Sequence, residues 1–181
     1  MDNLFNNAPG FDQPLAVLKH CHDRIRKQLD TLDKLLTHLP QHGADEQARQ
    51  AASAVLRYFK QAAPLHHEDE EVNLLPTLEI TATGDDASLL QQLLPHILAQ
   101  HAQMAGLWER LAIELNTIAS GEAATLSAQG VSEFKELYLE HMQTEETQIA
   151  PMAKRLFSAA QMQAMGNAMQ ERRGISVQPE Q

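Results

Sequence analysis

The sequence predicts an all-α protein, an up-down-up-down four-helix bundle followed by a short additional C-terminal helix. Four long segments repeat their apolar residues at steps of three and four, which is the period of an amphipathic helix. Short turns separate these segments, and no stretch alternates apolar and polar residues as a half-buried strand does. Aromatic residues make up only 4% of the chain, which leaves Leu, Ala and Met to fill the interior, as in helical bundles.

The first two helices are predicted over residues 11–39 and 44–79. Residues 40–43, PQHG, combine a proline with a glycine and are expected to end the first helix. Pro64 falls inside the second helix. Because proline lacks the backbone N–H and its ring crowds the preceding turn, Pro64 is expected to kink or locally open that helix.

The remaining helices follow the same pattern. Residues 81–86, TATGDD, predict a turn with a good N-cap candidate before a third helix over 87–119. A second polar turn precedes the fourth helix, which is predicted over residues 126–157. A shorter helix is predicted over residues 159–172.

These elements divide the chain into three parts: the bundle over residues 11–157, an accessory helix over 158–173 and a flexible tail over 174–181. The accessory helix carries its methionines on one face. Such a face either caps the bundle or contacts a second copy of the chain, since methionine surfaces adapt to many partners. The sequence therefore leaves monomer and homodimer open.

Composition and charge exclude several functions. The formal net charge is −10, which argues against nucleic acid and anionic membranes as partners, since both reward clustered Lys and Arg. Cys21 is the only cysteine, so a disulfide framework and a cysteine-based zinc site are excluded. The first residues show neither a basic start nor a long apolar run, and no stretch has the length of a membrane span. We expect a cytoplasmic protein.

Six polar side chains occupy apolar-face positions of the predicted helices. They are His22, His66, Glu70, His101, His141 and Glu145. A lone core histidine is usually only hydrogen-bonded, and one HxxxE pair could be a surface ion pair worth under about 1 kcal/mol. Two buried carboxylates without partners would cost several kcal/mol each, however, and metal ions ligated by the carboxylates and imidazoles remove that cost. The six together therefore predict a metal centre, whose side-chain chemistry suits Fe, Mn, Zn or Co.

The order of these residues along the chain is that of a near-repeat. One histidine is followed 44 residues later by an HxxxE pair, and a second histidine is followed 40 residues later by another pair. The stretches HHEDEEVNLLP and EHMQTEETQIAP both place Glu-Glu after the histidine, then an aliphatic residue and a proline, Pro76 or Pro151. A bundle with a pseudo-two-fold axis would bring the four groups together in mid-core.

The chain resembles the hemerythrin-like (HHE cation-binding) family. The stretches LKHCHDRIRKQLDTL, HHEDEEVNLLP, HILAQHAQMAGLWERL and EHMQTEETQIAP are similar to its four helical signatures and span residues 15–156. The resemblance implies a non-haem di-iron centre, in which an oxo or hydroxo group and two carboxylates join the irons. It implies six protein ligands, of which Glu70 and Glu145 bridge the metals and the others complete each shell: His22, His66, His101 and His141.

One feature departs from the oxygen-carrying hemerythrins, which have two histidines four apart on the third helix. The positions four before and after His101 are Ile97 and Ala105, neither of which can ligate. His96 lies about 140° round an ideal helix from His101 and is a poor substitute. The four-His, two-Glu set resembles the iron–sulfur-cluster-repair branch, whose N-terminal segment with paired cysteines has no counterpart here.

With two histidines, two bridging carboxylates and the oxo bridge, each iron keeps one open coordination position. An open position within a cavity lined by Leu, Met and Trp suits a small uncharged diatomic molecule. We therefore expect a protein that binds or senses O2 or NO, a metal- and gas-binding protein in preference to an enzyme. The alternatives are a di-iron oxidoreductase that reduces NO or peroxide, iron delivery for iron–sulfur cluster repair, and a metal-free bundle.

Five further polar residues lie near the predicted ligands. His67 and Glu71 sit about 100° round the helix from His66 and Glu70, so either could contact the ligands, although the bundle edge or solvent is the expected place. His20 fits the apolar register less well than His22, and Tyr138 precedes His141 by one turn. Whether these residues or His96 contribute to the site is left open by the sequence.

Overall fold

A computed structural model describes residues 8–175, and all of the regular structure in that range is helical. The helices are α1 (Pro14–His42), α2 (Glu46–Glu68), α3 (Leu75–Thr81), α4 (Gly84–Ser120), α5 (Ala128–Thr144), α6 (Ala150–Leu156) and α7 (Ala159–Arg172). Two π-helical segments, π1 (Asp69–Leu74) and π2 (Glu145–Ile149), join α2 to α3 and α5 to α6. The all-α prediction is confirmed. Residues 176–181, most of the predicted tail, lie outside the described residues.

The long helices form a closed bundle. Helix α1 packs against α2 and α5, and α4 packs against the same two helices on the other side. Helix α7 lies across the bundle and contacts π1 and α1. Within residues 8–175 no helix is long and apolar enough to cross a membrane.

Several predicted helix boundaries were wrong by one to three residues, and helix α1, for example, begins at Pro14 and not at residue 11. Helix α1 runs through Pro40 to His42 and ends at Gly43, whose φ of 66° is in the left-handed region. Pro40 removes one backbone hydrogen bond near the end of the helix but does not end it, and the left-handed glycine ends the helix instead. Helix α4 begins at Gly84, three residues earlier than expected, which shortens the predicted turn.

The local opening of the second helix, one of the two effects expected of Pro64, does not occur at that residue. Helix α2 continues through Pro64, and the helix widens only at π1. There the Leu75 N–H donates to the carbonyl of Glu70, five residues back, and Pro76 follows directly. A proline cannot donate to the carbonyl four residues back and its ring collides with it, so a wider turn just before Pro76 relieves the contact.

The second half of the near-repeat has the same backbone. The Ala150 N–H donates to the carbonyl of Glu145, again five residues back, and Pro151 follows. Each π segment therefore begins at or beside the glutamate of an HxxxE pair and ends beside a proline. Short π-helical turns within α-helices are often found at functional sites.

The buried core consists of two hydrophobic clusters with polar residues between them. On α1, Leu18 belongs to one cluster, Ile25 belongs to the other, and His22 lies between them. On α4, His101 likewise lies between Ile97 and Met104. The HxxxE pairs occupy the corresponding level of the other two long helical segments, so the fold brings all the polar residues to one layer.

Helix α7 closes the end of the bundle nearest π1. A capping box formed by Ser158 and Gln161 starts the helix. Met165 and Met169 are buried against the bundle, so the methionine face has the capping role. Gly166 lies so close to the backbone of Phe11 that any Cβ at this position would collide with it.

Candidate metal centre

The structure brings the six predicted residues together. They come from α1, α2, π1, α4, α5 and π2, and none of the six is more than 6% exposed. Donor atoms of His22, His66, Glu70 and Glu145 all lie within 4.8 Å of one another. A second group with the same spacing contains Glu70, His101 and His141, together with His67, which sequence reasoning had placed at the bundle edge or in solvent.

Glu70 lies between the two groups and faces both of them. Its Oε1 is 3.0 Å from His66 Nε2 and 3.8 Å from His22 Nε2. Its Oε2 is 3.3 Å from His101 Nε2 and 4.0 Å from His141 Nε2. One carboxylate thus presents one oxygen to each histidine pair, which is the arrangement of a bridging ligand.

Glu145 also reaches both groups. Its Oε2 lies 3.1 Å from His22 Nε2 and 3.4 Å from His141 Nε2. Its other oxygen, Oε1, is buried without a hydrogen-bond partner. The two glutamates therefore span the space between the histidine pairs from two sides.

The spacing of the donor atoms suits a shared cation better than it suits hydrogen bonds among the donors. Both oxygens of Glu70 and the Nε2 atoms of His22 and His66 are buried and make no hydrogen bond, although they lie close together. Two ligand atoms about 2.1 Å from one metal and at a right angle would be about 3.0 Å apart, and the observed spacings of 3.0–3.4 Å are of that size. Buried polar atoms without partners are costly, and a metal ion would satisfy them.

Three of the histidines are oriented from outside by side chains that sequence reasoning did not assign. The His22 Nδ1 is 2.9 Å from Glu146 Oε1, and the His101 Nδ1 is 2.6 Å from Glu71 Oε1. The His141 Nδ1 is 3.2 Å from the side-chain oxygen of Gln100. An Nδ1–H donated outward leaves the Nε2 lone pair directed inward, as metal-binding histidines require.

The signal for two of these partners was present in the sequence. Glu71 and Glu146 are the second glutamates of the two Glu-Glu pairs in the near-repeat. Each serves the histidine of the opposite half: Glu71 on π1 contacts α4, and Glu146 on π2 contacts α1. The side chain of Glu71 is 43% exposed, in agreement with the expected place at the bundle edge, and it also contacts His101, which the sequence had left open.

His67 is the residue whose placement differs most from expectation. Its ring stacks on that of His101, with centroids 4.1 Å apart and planes 14° apart. Its Nε2 is buried without a hydrogen-bond partner. Burial lowers the pKa of His67 well below its ordinary value, so the ring is neutral at pH 7 and keeps a free lone pair.

The other residues left open lie in different surroundings. Tyr138 is buried, stacks at 5.9 Å from His67, and has a raised pKa because of burial and the nearby charge of Glu70. His96 is exposed beside Glu140. His20 is partly exposed, and the candidate ligand groups do not include it.

Without a metal, the ionisable groups hold protons unequally. Burial opposes a charge on His22, but Glu145 and Glu70 outweigh burial and raise its pKa to about 9. Burial together with the charge of Glu70 raises the pKa of Glu145 to about 7. Burial lowers the pKa of His141 to about 3. A cation entering this cluster would therefore displace protons from some ligands and none from others.

A pocket of about 740 Å³ adjoins the centre on one side. His22 and Glu145 form part of its wall, and Leu18, Leu74 and Ile149 supply apolar surface. The pocket therefore borders the first group of donor atoms.

The fold and the site define a class of protein, a helical bundle with a buried histidine and carboxylate centre suited to metal cations. The family model for the hemerythrin HHE cation binding domain matches residues 13–153. The chain therefore belongs to the hemerythrin HHE cation-binding family, and the resemblance seen in the sequence is confirmed.

The chain is also similar to an uncharacterized protein of Haemophilus influenzae. The two are 27% identical over 165 residues, which cover 91% of this chain and 92% of the relative. The similarity thus extends beyond the residues that the family model matches.

Proposed function

We propose that this protein holds two iron ions joined by an oxo or hydroxo bridge and, through them, binds or senses O2 or NO. The proposed ligands are His22, His66, Glu70, His101, His141 and Glu145, with Glu70 and Glu145 bridging. The observation that carries the proposal is the position of Glu70, whose two oxygens face different histidine pairs. A single metal would not require two separate groups of donors, whereas a pair of metals does.

A pair of irons would supply open coordination positions and the electrons that bind a diatomic molecule. The protein's own residues hold and shield that pair. Glu71, Glu146 and Gln100 orient the histidines from outside. The hydrophobic clusters on both sides of the layer exclude bulk water.

The proposal includes an up-down-up-down course of the four long helical segments. The ring of contacts in which α1 and α4 each touch both α2 and α5 supports this topology, because short turns join consecutive helices into antiparallel neighbours. The accessory helix lies outside that ring.

The test is iron loading under anaerobic conditions, followed by exposure to O2 and NO. We expect about two irons per chain and new absorption bands in the visible region that change with each gas and reverse on its removal. A protein that takes up no iron, or whose loaded spectrum ignores both gases, would contradict the proposal.

Two related outcomes identify the alternative functions. Continuous consumption of NO or peroxide with an added reductant would indicate an oxidoreductase in place of a carrier or sensor. Transfer of the bound iron to a damaged iron–sulfur enzyme, with return of that enzyme's activity, would indicate cluster repair. Both measurements use the same loaded protein.

A further inference from the structure

We infer that His38 and His42 form a second, peripheral site for a divalent transition-metal ion, at the end of α1 and apart from the metal centre. The ion is Zn²⁺, Cu²⁺ or Ni²⁺, because imidazole nitrogen suits these ions, whereas Mg²⁺ and Ca²⁺ prefer oxygen. The site shares no residue with the proposed iron centre, so it stands independently of the function proposed above.

The spacing along the helix places both rings on one face. His38 and His42 are four residues apart in α1, which is about one turn, and helical histidine pairs with this spacing bind zinc in metalloproteases. The ring centroids lie 4.5 Å apart, and the ring planes are tilted by 32°. A small rotation of the exposed His42 side chain therefore allows one nitrogen from each ring to reach a single ion.

A carboxylate orients the first of the two rings. His38 Nε2 lies 2.9 Å from Oδ1 of Asp45, the residue that caps the N-terminus of α2. When Nε2 carries the proton and donates it to this carboxylate, the lone pair of the ring is on Nδ1, where a metal can bind. Metal-binding histidines usually donate their other ring N–H to such a partner, as Glu71 and Glu146 provide in the centre.

The surroundings of the pair suit a hydrated cation. Both rings line a cavity of about 430 Å³ between α1 and α2, which has room for an ion and for the waters that complete its shell. Helix α1 ends at Gly43, and the carbonyl oxygens of its last turn carry a partial negative charge that favours a cation. Lys34 lines the same cavity and opposes a cation, which makes it a useful position for a test.

The peripheral site differs from the metal centre in its ligand number and its position. Within residues 8–175, donors gathered in groups of three or more lie only in the centre, so the peripheral site has two protein ligands and its ion exchanges with solution. His38 follows His22 by 16 residues on α1, which is about 24 Å along an ideal helix, so the two sites cannot share an ion.

A clamp between helices explains only part of this arrangement. The hydrogen bond from His38 to Asp45 joins α1 to α2, and it needs no second imidazole beside it. A clamp and a metal site also differ in what they predict: a clamp binds no ion, whereas a metal site loses its ion when either histidine is replaced.

The test is calorimetric titration of the metal-free, full-length protein with ZnCl₂. His38→Asn and His42→Asn should each weaken the binding of one Zn²⁺ by at least about tenfold, since loss of even an outer partner of a ligand costs roughly 10- to 100-fold. The control is His96→Asn, which removes an exposed histidine that also lies beside a carboxylate but has no histidine four positions away. This control should bind Zn²⁺ as wild type does.

Two further variants test the roles of the neighbouring charges. Asp45→Asn keeps a good N-cap residue but removes the carboxylate, and it should weaken the same Zn²⁺ by roughly tenfold or more. Lys34→Gln should bind Zn²⁺ at least as tightly as wild type, because it removes a positive charge from the cavity. Weaker binding by Lys34→Gln would contradict a cation site.

Spectra of wild type identify the ligands without any substitution. In ¹H–¹⁵N spectra of the histidine rings, Zn²⁺ should shift the nitrogens of His38 and His42 together and leave those of His96 in place. Circular dichroism verifies that the variants fold. Unshifted rings of His38 and His42 at saturating Zn²⁺, or folded His38→Asn and His42→Asn variants that bind Zn²⁺ within about threefold of wild type, would overturn the inference.

Discussion

The two halves of the near-repeat have the same backbone conformation but differ in the side chains that flank their glutamates. In both, a histidine on an α-helix is followed by a glutamate whose carbonyl accepts a π-helical hydrogen bond, and a proline comes next. In both, a second glutamate supports a histidine of the opposite half. Among the positions where the halves differ, two are buried in the first half or lie beside its candidate ligands: His67 and Asp69, which correspond to Met142 and Thr144.

The second difference anchors one half to the C-terminal helix. Asp69 is fully buried and forms ion pairs with Arg172 and Arg173 from the end of α7. Arg172 also binds Asn73, so it holds π1 at two places. Thr144 makes only a local hydrogen bond to the carbonyl of Glu140. The halves thus share the backbone conformation and the supporting glutamate, and the second difference gives the first half an external anchor.

The largest effect is expected from Glu70, which faces both histidine pairs. Glu70→Ala should abolish binding of both metals, because each would lose a charged ligand and the bridge between them. Glu145→Ala should also prevent the paired centre from forming, but a single weakly bound metal can remain at Glu70. Metal analysis of dialysed, iron-loaded protein measures the number of metals per chain.

The same variants test the metal-free alternative. If the bundle binds no metal in its active form, removing a buried carboxylate should leave the free energy of unfolding unchanged or increase it, with no other consequence. Wild-type metal content in Glu70→Ala would contradict the bridging role. Glu140→Ala, at an exposed position, is the control.

The next largest effect tests the anchor. Asp69→Ala leaves Arg172 and Arg173, whose side chains are 11% and 18% exposed, without their buried partner. We expect the free energy of unfolding of the metal-free protein to fall by about 3 kcal/mol, the lower part of the range for breaking a buried ion pair, because the arginines retain some contact with water. Urea denaturation measures it.

Thr144→Ala is the matched variant in the other half and should change stability by less than about 0.5 kcal/mol. Equal losses from both substitutions would show that α7 does not anchor π1. A loss of stability in Asp69→Ala that also lowers metal content would indicate that the anchor fixes the position of Glu70.

A smaller effect is expected from the supporting glutamates. Glu71→Gln and Glu146→Gln replace a carboxylate beside a ligand histidine with a neutral amide, which should weaken metal binding by roughly 10- to 100-fold. The two losses should be similar if the halves are equivalent in this respect. Titration against a chelator measures both, with Glu140→Gln as the control, and affinities unchanged from wild type would argue against the supporting role.

The helices and the six clustered residues were predictable from sequence because both depend on periodicity. A stripe at steps of three and four fixes which residues share a face, and His22, His66 and His101 interrupt apolar stripes. The order of the groups along the chain then predicted that they would meet in one layer. Neither step needed knowledge of tertiary contacts.

His67, Gln100 and the anchor were not predictable in this way. A residue one position from a ligand is rotated by about 100° on an ideal helix, and only the packing against His101 shows that His67 turns toward the centre. The pairing of Asp69 with Arg172 joins residues 103 apart in the chain, and no local pattern indicates it. Pro64 misled as the site of a local opening, because the helix widens just before Pro76 and not at Pro64.

The smallest predicted effect is the pH dependence of the metal-free protein, which should differ between the two halves. The pKa of His22 is raised to about 9, so its stabilising contribution is full below its ordinary pKa of 6.5 and is lost as the pH rises to about 9. The pKa of His141 is lowered to about 3, so protonation favours unfolding and stability is lost as the pH falls from 6.5 toward 3. We expect about 1 kcal/mol over each window, because neighbouring groups share the protons. Urea denaturation from pH 4 to 9 should show that His22→Gln flattens only the alkaline side and His141→Gln only the acidic side, whereas identical profiles for both variants would contradict the assignment.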